Sequence, residues 1–165
     1  MVAVAQIYRR DVPGEWWPDG ADLLQILWCP NEHWDAGPPQ DEGAPTVELR
    51  WRTAAEVVGP VSAAVFAGRH EEGLLPQPCT LKAVAAVDDD AHPISRYDVW
   101  KIGGFPRWVL ADRHEIRCAD CGEETTLLFT ISSGDVTGVN AGRAGELRIF
   151  RCSSVHQHRV AVNLH

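Results

Sequence analysis

The sequence predicts a β-rich α+β domain, mostly antiparallel sheets with a few short helices, and three observations carry that expectation. Several segments of five to eight residues are either continuously apolar and β-branched or alternate apolar with charged side chains, the period of a strand. Clusters of Gly, Pro, Asp and Asn separate them at short intervals, as turns between antiparallel strands require. The chain has 165 residues, 45% hydrophobic and 23% charged, which is enough to bury one core and fits a single domain over 1–165.

Val2 to Tyr8 reads as a first strand, followed by a Pro/Gly-rich stretch, Asp11 to Asp22, that holds Trp16 and Trp17. Leu23 to Trp28 is a second, largely buried strand that ends at Cys29-Pro30. Asn31 to Pro45 is a loop containing Trp34, and Val47 to Arg52 sets Val47, Leu49 and Trp51 against Glu48, Arg50 and Arg52, a strand with one wet face. Thr53 to Val58 and Val61 to Ala67 are the short helices, divided by Gly59-Pro60. Glu71 to Pro78 is a loop, and Asp88 to Asp90 with Pro93 is a polar turn. Trp100 to Ile102 is a brief strand stopped by Gly103-Gly104, and Thr125 to Ser132, Glu146 to Arg151 and Arg159 to Val162 are the last three.

The 23 acidic and 15 basic residues give a formal charge of −8, concentrated in residues 1–100. Such a front half repels phosphates, so a nucleic-acid role is not expected. The longest uncharged run, Val57 to Gly68, falls short of a membrane span and contains Gly59 and Pro60. Met1 to Ile7 reaches Arg9, Arg10 and Asp11 without a signal-like leader, so a cytoplasmic protein is expected. Five cysteines, an odd number, argue for thiols or metal thiolates over a disulfide framework.

The sharpest chemical signal is Cys118-Ala-Asp-Cys121-Gly122, a Cys-x2-Cys turn closed by glycine that points two thiolates at one tetrahedral cation. A second pair is available where the strand after Glu146 delivers Cys152, followed by His156 and His158. The expected site is a zinc-knuckle-like C-terminal hairpin with Cys118, Cys121, Cys152 and His158 as ligands, His156 being the competitor for the fourth place. Four protein ligands leave no position for water, so that Zn2+ would be structural. A redox dithiol is disfavoured, because residues 122–132 read as turn and strand and supply no helix N-terminus to activate a thiol.

Cys29-Pro-Asn-Glu-His33 is a second candidate, as a metal pair joined by Cys79 or as a Cys–His nucleophile. Asp88 to Asp90 with His92 could hold a cation, though a solvated acidic turn explains them as well. No phosphate-binding or dinucleotide motif occurs, and no catalytic residue is assigned. Trp16 and Trp17 are candidates for a partner-binding surface, against the plainer reading that they fold back to cap the sheet.

The stretches Asp22-Leu-Leu-Gln-Ile-Leu-Trp-Cys-Pro-Asn-Glu-His33, Pro76-Gln-Pro-Cys79, Lys101-Ile-Gly-Gly-Phe-Pro-Arg-Trp108, Cys118-Ala-Asp-Cys-Gly122, Leu127-Leu-Phe-Thr-Ile131 and Gly145-Glu-Leu-Arg-Ile-Phe-Arg-Cys152 together resemble the YwqG-like family of bacterial proteins of unknown function. A looser resemblance extends to the C-terminal domain of the eukaryotic programmed-cell-death-two proteins, where Lys-Ile-Gly-Gly-x-Pro precedes Cys-x2-Cys-Gly. The first resemblance implies a β-rich α+β fold without an established activity. The second implies chaperone-like binding of a ribosomal protein, hence of a basic partner. The expectation is a non-catalytic, zinc-stabilised protein-binding domain. The alternatives are a small hydrolase or transferase using Cys29 and His33 or an open zinc site, and a toxin-neutralising immunity protein.

Overall fold

A computed structural model of the chain describes residues 1–33, 43–59, 70–89, 99–108, 113, 115–141 and 145–165. Among these residues seven strands form two antiparallel sheets: β1 (Val2–Tyr8), β2 (Leu23–Trp28) and β3 (Val47–Arg52) in the first, β4 (Lys101–Ile102), β5 (Thr125–Ser132), β6 (Glu146–Cys152) and β7 (Ala161–Leu164) in the second. Each sheet runs in chain order, β1-β2-β3 and β4-β5-β6-β7. Strands consecutive in the chain are therefore neighbours within each sheet.

The β1 to β3 and β5 boundaries coincide with those read from the sequence, and the first of the two expected helices does not appear as such. Thr53 to Val58 yields a single 3-10 turn, Ala54–Glu56, with a Thr53/Glu56 capping box. Gly59, at φ 80°, stands where that turn would have to lengthen. The second expected helix, 61–67, lies outside the described residues, as do Trp34, Asp90, His92 and Pro93. Within the stretch read as a loop, Glu72–Leu74 forms another 3-10 turn, whose Leu74 carbonyl accepts the buried Trp28 indole N–H at 2.7 Å. Among the described residues the fold is thus β with two 3-10 turns, and no helix is long and apolar enough to cross a membrane.

One core joins the sheets. Leu24, Ile26 and Trp28 of β2 pack in the same cluster as Phe129 and Ile131 of β5, Leu147 and Ile149 of β6, and Val162 of β7. Burial on this scale, at about 25 cal/mol per Å² of apolar surface, is what holds two sheets face to face. The other face of the second sheet carries a smaller cluster, Ile116, Leu127 and Phe150, with Trp108 against it. Beside that cluster the fully buried Arg148 lies over the Trp108 ring, 5.0 Å from its centroid, and pairs with Glu146 at 3.3 Å. Its guanidinium also donates to the Arg107 carbonyl and to Asn163.

Candidate metal centre

Cys118 and Cys121 sit at the tip of a narrow hairpin whose arms are joined by an antiparallel bridge between Arg117 and Glu124. The Gly122 N–H closes the turn on the Cys118 carbonyl at 2.8 Å, and the Cys118 N–H bonds the Glu123 carbonyl at 2.9 Å. Gly122 has φ 75°, a left-handed conformation that glycine adopts without a Cβ penalty, so the Cys-x2-Cys-Gly pattern specifies this turn. Cys152 is the last residue of β6, and Thr125↔Cys152 is the terminal register pair of β5 and β6. That pairing brings the end of β6 to the base of the hairpin.

His158 completes the group. The sulfur and nitrogen ligand atoms of Cys118, Cys121, Cys152 and His158 all lie within 4.8 Å of one another. Cys118 Sγ is 3.4 Å from His158 Nδ1, and Cys121 Sγ is 3.6 Å from Cys152 Sγ. A tetrahedral ion with Zn–S bonds of about 2.3 Å separates its sulfurs by roughly 3.8 Å, so both distances match its edges. A disulfide, at about 2.05 Å, does not fit the sulfur pair. Three soft thiolates and one imidazole form a donor set suited to a divalent metal.

The thiols are electrostatically coupled. The Glu123 N–H favours a Cys121 thiolate, but desolvation and the Cys118 and Cys152 sulfurs together push that thiol up to about 11. Burial opposes a charge on Cys152, and the Ser154 and Val155 N–H groups, with His158 and Cys121, outweigh it and bring the thiol down to about 6. The pocket therefore favours thiolate at Cys152, and negative charge already present resists a second at Cys121. A divalent cation removes that repulsion, which is why filling such a site is coupled to proton release.

The remaining candidates are elsewhere. His156 points away from the sulfurs: its Nδ1 is 3.2 Å from Arg151 Nη1 and its ring meets Trp51 edge-on at 6.0 Å. The bond to the half-buried Cys29 sulfur comes from Asn31 Nδ2 at 3.3 Å, His33 Nε2 is buried with no hydrogen-bond partner among the described residues, and Cys79 is exposed. Among the described residues these three do not assemble into a metal-binding group. Asp88 is engaged by Lys101 Nζ at 3.0 Å and by the Phe105 N–H at 2.9 Å.

Trp17 is only 4% exposed, and Trp16 is half-buried against it. Their rings stack at 4.5 Å and both meet Trp51 edge-on, while Trp17 Nε1 donates to the Val12 carbonyl at 2.9 Å. This is the capping arrangement. The Pro/Gly-rich context suggests surface, but the local Val12 carbonyl satisfies the indole and lets it enter the core.

Sequence reasoning missed Asp120. Its carboxylate accepts the Arg159 backbone N–H at 2.7 Å and Arg159 Nε at 2.8 Å, tying the hairpin tip to the residue after His158. Arg159 holds the Asp120 carboxyl below its ordinary value through these bonds. The pairing spans 39 positions and no local pattern signals it.

Searches of protein-family models, of curated proteins and of solved structures gave no match to the chain.

Proposed function

We propose that this is a non-catalytic protein-binding domain whose C-terminal sheet is clamped by a structural zinc ion. The observation that carries the reading is the complete set of four ligands, Cys118, Cys121, Cys152 and His158, in mutual contact range. Zinc with three thiolates and an imidazole has its four preferred positions filled by protein, and its work is then to hold the hairpin, the end of β6 and the segment before β7 together. The looser resemblance to the programmed-cell-death-two domain supports a chaperone-like binding role toward a basic partner, which the net charge of −8 suits.

Cobalt substitution tests the closed site. Co2+ in place of zinc gives visible bands characteristic of a tetrahedral thiolate-rich centre, and these stay unchanged when azide or imidazole is added. Bands that shift with the added ligand would show an open position and replace the structural reading with the catalytic one.

A further inference from the structure

Two elements that have no β partner among the described residues each supply what the other needs. The first is the outer edge of β3. The Cys29 N–H bonds the Thr46 carbonyl at 2.9 Å, and the β2–β3 register runs without a shift from there. Backbone bonding alternates along an antiparallel strand, so the amides of Val47, Leu49 and Trp51 face away from β2. Among the described residues nothing pairs with that edge. It opens on a cleft of about 760 Å³ lined by residues 18–21, by the whole of β3, Glu48, Arg50 and Arg52 included, and by residues 156–160.

The second element is the extended segment 78–87. It has no secondary structure, every residue is exposed, and it makes no backbone hydrogen bond to the described residues. Yet it is apolar: Leu81 is 50% exposed, Val84 77% and Val87 93%. Its ends are fastened, Gln77 N–H to the Thr137 carbonyl at 2.7 Å and Asp88 to Lys101 of β4. The β4 anchor lies at one edge of the second sheet, and the cleft borders the residues that lead into β7 at the other. No residue of the segment lines the cleft of its own copy, and a second copy can bring the two together while both anchors hold.

We propose that the protein forms a two-fold dimer in which residues 79–83 of each copy add as an antiparallel strand to the outer edge of β3 in the other, residues 84–87 running on past Val47. Charge fixes the register. Placing Lys82 opposite Glu48, both exposed, sets Leu81 opposite Leu49 and Ala83 opposite Val47 on the face of β3 that packs on the core, and brings Lys82 to the Glu48–Arg50 pair on the other face, where Val84 also lies. Any register that sets Lys82 opposite Arg50 or Arg52 repels. Exchange in both directions closes the assembly and covers the outer edge of β3 in each copy.

Light scattering after size exclusion, with native mass spectrometry, tests this at tens of micromolar protein. The wild type is expected as a dimer. Glu48→Lys and Lys82→Glu each meet a like charge twice per dimer and should raise the dissociation constant roughly tenfold or more, and the double variant should restore it. Leu81→Asp should be monomeric. These side chains are exposed in the single copy, so the monomeric variants keep the wild-type circular dichroism. A monomeric wild type, a dimer indifferent to all of these changes, or a double variant that fails to restore association would overturn the proposal.

Discussion

Asp120, between the two cysteines of the hairpin, holds both the backbone N–H and the guanidinium of Arg159, the residue next to the ligand His158. The clasp fixes the imidazole's segment against the hairpin before any metal arrives, so part of the ordering cost of binding is already met. Asp120→Ala should weaken zinc retention about 10- to 100-fold, as removal of a partner that orients a ligand does. Arg159→Ala keeps the backbone bond and should cost less. Competition with a chromophoric chelator measures both, and equal affinity in all three proteins would dismiss the clasp.

The two histidines should separate cleanly. His158→Ala removes a donor 3.4 Å from Cys118 Sγ and should abolish tight binding, whereas His156→Ala loses the contacts with Arg151 and Trp51 and should leave stoichiometry unchanged. Metal content of the purified variants decides the matter.

Gly103 and Gly104 both have positive φ, 67° and 73°, but only Gly104 abuts Asp88: a Cβ there would fall on the Asp88 carboxylate that Lys101 and Phe105 hold. Gly104→Ala should therefore cost about 1–3 kcal/mol, combining left-handed strain with loss of the clasp, and Gly103→Ala about 1 kcal/mol. Urea unfolding of the two variants measures the difference, and the order Gly104 above Gly103 is the test.

His165 gives a pH dependence of definite sign. Burial, then the positive charge of Arg148, with Arg107 adding to it, lowers its pKa, and Glu146 offsets this only in part. The folded protein thus binds fewer protons there than the unfolded chain, so stability rises with pH through the window below about 6.5 and is lost as pH falls through it. His165→Gln should show a smaller drop in urea midpoint between about pH 7.5 and about pH 5.5 than wild type. The metal ligands titrate in both proteins, so the difference isolates His165; parallel drops would refute the assignment.

Local signals were legible wherever one physical cause acted within a few residues. Val47–Arg52 reads as a strand because its alternation matches a half-buried sheet edge, and Cys118, Cys121 and Gly122 read as a metal turn because glycine permits its φ. Cys152 and His158 were legible by spacing alone and meet the turn as that spacing suggested. β7 begins at Ala161, two residues later than its apolar pattern implies, because the Arg159 N–H is taken by Asp120. Such contacts, like the packing of Trp16 and Trp17 on Trp51, depend on chain segments far apart in sequence, where no periodicity reports them.

The metal centre itself is the claim to test first. Native mass spectrometry with elemental analysis, on protein purified under reducing conditions without chelator, should find one zinc per chain in the wild type and in Cys79→Ser, and none in Cys118→Ser, which should also melt at a lower temperature. Wild-type protein without metal, or a Cys118→Ser variant that keeps both its zinc and its melting temperature, would contradict the account.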